Sequence, residues 1–106
     1  MDKKVKDILS DLKQHLEDHF GSSIKDVILY GSYAKNVGNM ESDIDVLILV
    51  DNSITPSDVR SYLSDFILDV LLNKKELISV IVLPLDYYLS KNYPFILNVK
   101  KEGLKV

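Results

Sequence analysis

Two aspartates, Asp43 and Asp45, stand at the mouth of the apolar run "DIDVLILV". On a strand, residues two apart point to the same side, about 6.5 to 7 Å apart along the chain. Ile44 points the other way, into a core. Two like charges this close repel, and burial drives one of them to protonate. A divalent cation removes the conflict. Mg²⁺ is typically held by one or two carboxylates together with waters and substrate phosphates. Paired carboxylates at a strand end therefore read as a metal platform for phosphoryl chemistry. Taken alone, an Asp-x-Asp is more often a solvated strand cap.

The residues before the pair shift that balance. Gly31-Ser32 falls where "IKDVILY" turns into "SYAKNV". Glycine there lets a ligand approach the backbone closely. The amides opening the following turn, with the Ser32 hydroxyl, suit a phosphate. Lys35 lies three residues on, on the same helical side as Ser32, and could meet that phosphate. A Gly-Ser turn is common, however, and a lysine at this spacing is more often a surface residue. Topology joins the halves. If the two strands run antiparallel, the end of the first lies beside the start of the second, and Gly31-Ser32 faces Asp43 and Asp45. If they run parallel, the two sites sit about 17 Å apart, a strand length, and share no ligand.

These residues need elements to position them. Val5, Ile8, Leu9, Leu12, Leu16 and Phe20 recur at helical spacing, predicting an amphipathic helix over about residues 2–20 with Gly21 as its terminator. "IKDVILY" and "DIDVLILV" read as strands, the second buried on both faces after its aspartates. Between them "SYAKNV" reads as a short helical turn closed by Gly38. Thr55, Pro56 and Asp58 suit the N-cap, first and third positions of a helix. Val59, Leu63, Phe66 and Val70 mark its buried side as far as about Asn73. "LISVIVL" is a third strand, stopped by Pro84. "LDYYLSK" and "PFILNVKKEG" predict two short closing helices, the last begun by Pro94 and ended by Gly103. The order α-β-α-β-α-β-α predicts an α/β (α+β) fold, a small mixed sheet of about three strands with flanking helices.

The 106 residues, 46% hydrophobic and 27% charged, fit one domain spanning 1–106. A net charge of −3 offers no basic footprint, so direct nucleic-acid binding is not expected. The absence of cysteine excludes disulfides and thiolate metal sites. The charged N-terminal stretch has no apolar core of the kind a secretion signal carries, and no run is long enough to span a bilayer. A cytoplasmic setting is the expectation.

Gly-Ser, ten residues, then Asp-x-Asp resembles the signature of the DNA polymerase β-like nucleotidyltransferase superfamily. "YGSYAKNVGNMESDIDVLILV" resembles its stand-alone members, the minimal nucleotidyltransferases, and the likeness covers essentially the whole chain. The resemblance implies that Gly31 and Ser32 hold the β- and γ-phosphates of a nucleoside triphosphate, ATP or another NTP. It implies that Asp43 and Asp45 bind two Mg²⁺ ions, which activate an acceptor hydroxyl and stabilise the pyrophosphate leaving group. Nucleotidyl transfer in line at the α-phosphate follows. The resemblance further implies a small helical HEPN-type partner protein and an antitoxin role in a toxin–antitoxin pair, the partner being adenylylated, often on tyrosine.

The chain departs from the family at one point. The family usually adds a third carboxylate on the next strand, facing the first two. The register chosen for "LISVIVL" puts Ser79 there. Asp69 falls at the edge of a helical side, Glu76 precedes the strand, and Asp86 lies beyond Pro84. This departure favours the alternative, a catalytically weak or inactive module that binds nucleotide or a partner.

Other candidates read more plainly. His15 and His19 are spaced i, i+4, as a metal pair would be, but no third ligand is evident. Tyr87, Tyr88 and Tyr93 fit packing better than base stacking. Lys74-Lys75 and Lys100-Lys101 read as solvated helix ends, the second pair well placed for a helix dipole. The acceptor, the base preference and the oligomeric state stay open.

Overall fold

The architecture comes from a computed structural model, which describes residues 2–35 and 43–106. Helix α1 (Lys3–Phe20) is followed by a 3-10 turn, Gly21–Ser23, and strand β1 (Ile24–Tyr30). Strand β2 is Ile44–Val50, helix α2 Pro56–Lys74 and strand β3 Ile78–Pro84. Helices α3 (Leu85–Ser90) and α4 (Pro94–Glu102) lead to a short strand β4, Leu104–Lys105.

The helix boundaries follow local chemistry. The Asp2 side chain accepts from the Lys4 amide and caps α1, whose chain turns off at Gly21 with φ 58°. Thr55 caps α2 by accepting from the Asp58 amide at 3.1 Å, and Pro56 opens the first turn. Pro94 opens α4, and the Gly103 amide closes it on the Val99 carbonyl.

Among the described residues the sheet has four strands, in the order β3-β2-β1-β4. Strands β1 and β2 are antiparallel, β2 and β3 parallel, β1 and β4 antiparallel. The expectation of about three strands misses β4, whose two exposed residues show no alternating pattern to read. Its Lys105 reaches Asp26 at 3.5 Å, and the Val106 amide bonds the Val27 carbonyl. The helical turn expected after Gly31 is a turn over Ser32–Lys35, held by the Lys35 amide on the Gly31 carbonyl at 3.2 Å. The remainder of that stretch, with Gly38, lies outside the described residues.

Strand alternation divides the core in two. Val27, Leu29, Ile44, Val46, Ile48, Ile78 and Val82 face α1 and α2. Ile28, Leu47 and Leu49 face the other way, with Tyr88, Ile96 and Val99 of α3 and α4. All of β2 except Asp45 is buried, as a central strand covered on both sides must be. Full burial of such a side chain contributes about 1.5–3 kcal/mol.

Candidate functional site

Antiparallel pairing places Tyr30 opposite Asp45, so the turn leaving β1 lies beside the opening of β2. Gly31 has φ +74°, a conformation that side chains rarely adopt. A methyl group there would collide with the Asp45 Oδ2 and sit 3.3 Å from its Cγ. The missing side chain is therefore what lets the Asp45 carboxylate lie against the Gly31 backbone. Ser32 follows, half-buried, at the start of the turn.

Asp43 precedes β2 and is exposed. Parallel pairing sets Ser79 beside Asp45, and the Ser79 hydroxyl donates to Asp43 Oδ2 at 3.2 Å. Asp43, Asp45 and Ser79 thus share one side of the sheet at one end. Burial first, then the charge of Asp43, raises the Asp45 pKa above its ordinary 3.8. The Tyr30 phenol is also pushed up, by burial and then by Asp45.

The donor set suits a hard cation. Carboxylate oxygens favour Mg²⁺ or Mn²⁺ over softer metals. Among the described residues no three His, Cys, Asp or Glu side chains gather into a site of their own. A cation at Asp43 and Asp45 would complete its shell from water and phosphate, as Mg²⁺ does.

Glu76, Asp69 and Asp86 are occupied elsewhere. Glu76 lies ahead of β3 and pairs with Lys4 of α1 at 3.6 Å. Asp69 accepts from Asn73 at 2.6 Å on α2, and Asp86 accepts from Asn52 at 3.1 Å at the far end of the sheet. The two histidines do not converge on a metal. His15 packs on Phe66 at 4.8 Å, and His19 stacks on Tyr62 at 4.1 Å. Tyr88 is core, while Tyr87 and Tyr93 sit 6.3 Å apart at the surface, far along the chain from the carboxylates.

Lys35 turns toward α4. Its Nζ lies 3.0 Å from Glu102 Oε2, at the rim of a groove of about 240 Å³ shared with Tyr30, Gly31, Phe95, Asn98 and Val99. Tyr30 meets Phe95 edge-on at 5.2 Å and closes that flank of the site. Nothing in the sequence spacing announces Tyr30, Phe95 or Glu102. They meet only because α4 folds back over β1.

The family model described as a nucleotidyltransferase domain matches residues 4–104. Several Methanocaldococcus jannaschii proteins named as candidate protein adenylyltransferases are similar to the chain. One is 33% identical over 103 residues, 96% of this chain and 93% of the relative. A second is 29% identical over 100 residues, 92% and 68%. A third is 36% identical over 76 residues, 71% and 74%. No helix among the described residues is long and apolar enough to cross a membrane.

Proposed function

The chain belongs to the nucleotidyltransferase domain family, a family of transferases, and from that premise we propose that it moves a nucleoside monophosphate from ATP to a protein hydroxyl. The acceptor oxygen attacks the α-phosphorus, the bond to the β-phosphate breaks, and pyrophosphate leaves. The acceptor proton passes to solvent, since among the described residues no third carboxylate faces the pair.

One observation carries the reading: the Asp45 carboxylate lies against the Gly31 backbone. A triphosphate on the Gly31-Ser32 turn then has its α-phosphate within reach of both aspartates. Gly31 and Ser32 offer amides and a hydroxyl to the β- and γ-phosphates. Lys35, paired with Glu102, is the cation we assign to the same phosphates. Asp43 and Asp45 hold the divalent cation, and Ser79 fixes the orientation of Asp43. When bound, Mg²⁺ neutralises the aspartates and stabilises charge on the transferring phosphate.

The relatives' names support a protein as acceptor. We assign the acceptor to a small helical HEPN-type partner, as in toxin–antitoxin pairs, and the reaction to the cytoplasm. Ser79 supports a second reading, a module that binds nucleotide with little turnover. ATP labelled on its α-phosphate, with Mg²⁺ and a candidate partner, separates the two. Label on the partner that disappears in Asp43→Ala supports the enzyme. Tight ATP binding with no labelled acceptor supports the module.

A further inference from the structure

Four lysines gather at the end of the sheet that carries the carboxylates. Lys3 and Lys4 open α1, Lys74 ends α2 and Lys75 follows it. With Asp7 and Asn73 they line a groove of about 560 Å³. The chain fixes its place. The Ile44 amide bonds the Leu77 carbonyl at 2.8 Å, two residues beyond Lys75. Lys75 is four residues from Ser79, at most about 14 Å of extended chain. On the α1 side Lys4 pairs with Glu76 at 3.6 Å. Glu76 and Asp2, after burial, raise the Tyr33 phenol in the turn that follows Gly31. The groove thus lies round the end of the sheet from the aspartates, on the side of α1 and α2.

Helix stability does not account for this gathering. Lys74 in the last turn of α2 suits that helix's dipole. Lys3 and Lys4 stand at the opposite, N-terminal end of α1, where a cation is unfavourable and the first turn holds no acid. Lys75 is held at φ 59°, a conformation that glycine or asparagine adopts at less cost. Packing does not account for it either, since the Lys3 side chain is 88% exposed and that of Lys4 45%. The described lining carries four cations against one acid, on a chain whose net charge is −3.

Asp7 shows what such lysines hold. Its carboxylate lies 2.9 Å from Lys3 Nζ. That hydrogen bond first, then the charges of Lys3 and Lys74, keep its pKa below the ordinary 3.8. The groove therefore favours a carboxylate in its charged form. Among the described residues no arginine and no aromatic ring lines it, so it offers neither a bidentate clamp for phosphate nor a platform for bases.

We propose that the lysine groove binds an acidic segment, rich in glutamate or aspartate, of the protein that accepts the nucleotidyl group, a step that rests on the transferase reading above. Asp43, Asp45 and a bound triphosphate would otherwise repel such a protein from this end of the sheet. The groove sets the opposite charge beside them. Charge of this kind speeds encounter and fixes orientation more than it deepens affinity. Its grip weakens as salt rises, because the lysines are exposed.

The probe is a fluorescein-tagged short peptide alternating glutamate and serine, read by anisotropy at low ionic strength. The same peptide with glutamine for glutamate and an oligouridylate of equal charge are the comparisons, and ATP·Mn²⁺ is titrated alongside. The glutamate peptide should bind and the glutamine peptide should not. Lys74→Gln with Lys75→Gln should weaken binding roughly tenfold, at about two- to fivefold per exposed charge pair. Lys3→Gln with Lys4→Gln serves if that pair fails to fold. Lys25→Gln with Lys91→Gln removes the same charge at the opposite end of the sheet and should leave peptide binding unchanged. Equal loss in the groove and control variants overturns the inference, as does equal binding of the two peptides or no binding of the glutamate peptide. Tighter capture of the oligouridylate assigns the groove to nucleic acid and overturns it too. A parent that holds the glutamate peptide in the groove but fails to bind ATP·Mn²⁺ upholds the groove and removes the transferase reading instead.

Discussion

Replacing Gly31 by alanine strikes the point where the turn and the carboxylate meet. The added Cβ collides with Asp45 Oδ2 and crowds Asp45 Cγ at 3.3 Å and Cβ at 3.4 Å. It also carries a side chain at φ +74°, at a cost of about 1–2 kcal/mol. For a domain this small each kcal/mol lowers Tm by about 4–8 °C, so a fall of about 5–15 °C is expected. Asp45 must swing away to make room. Disturbing the support of a metal ligand weakens cation affinity by about 10- to 100-fold, and the same loss is expected for Mn²⁺ with ATP. Gly21→Ala is the control. Gly21 also has positive φ, but a Cβ there meets nothing within 4 Å. It should lower Tm and leave ATP·Mn²⁺ affinity intact. Thermal melts and titration calorimetry on both variants measure the two quantities. A folded Gly31→Ala that binds ATP·Mn²⁺ as the parent does would refute the placement of the phosphates on this turn.

Three further outcomes follow from the same geometry. Without metal, Asp45→Asn should be more stable than the parent at neutral pH. The raised Asp45 pKa means the native state disfavours the carboxylate, so the penalty is present above the folded pKa. It fades as pH falls through that pKa toward the unfolded value of 3.8, and urea melts across pH should show the two proteins converging. Ser79→Asp should lower Tm without metal, by repulsion from Asp43 and Asp45, and tighten Mn²⁺ binding; unchanged Mn²⁺ affinity would place residue 79 away from the pair. Thr55→Ala removes the α2 cap and should cost about 1 kcal/mol in urea melts while leaving ATP·Mn²⁺ affinity alone.

Much of this was legible because it is local. The 3.6-residue spacing of Val5 to Leu16 gives α1, and Thr55-Pro56 marks the start of α2 to the residue. The unbroken apolar run of β2 announces burial on both sides, and the register of "LISVIVL" puts Ser79 beside Asp45. The antiparallel condition that joins Gly31 to Asp45 could be stated from the sequence, but only tertiary pairing satisfies it. What escaped is long-range. Strand β4 is two residues held by β1, too short to carry a pattern. The turn of Lys35 toward Glu102 depends on where α4 lands. The place of β3 at the end of the sheet depends on strand order, which no single segment encodes.

The mixed sheet also orders events in time. Gly31 follows β1, Asp45 lies at the start of β2 and Ser79 lies in β3, and the last of these joins β2 only by a crossover through all of α2. Closing that longer loop costs more chain entropy than the β1–β2 ladder does. A nascent chain stopped short of β3 would already own both aspartates and the phosphate turn, yet β2 would have one flank bare and Asp43 no hydroxyl to steady it. The hydroxyl that steadies Asp43 is thereby supplied only once the chain has been made as far as Ser79.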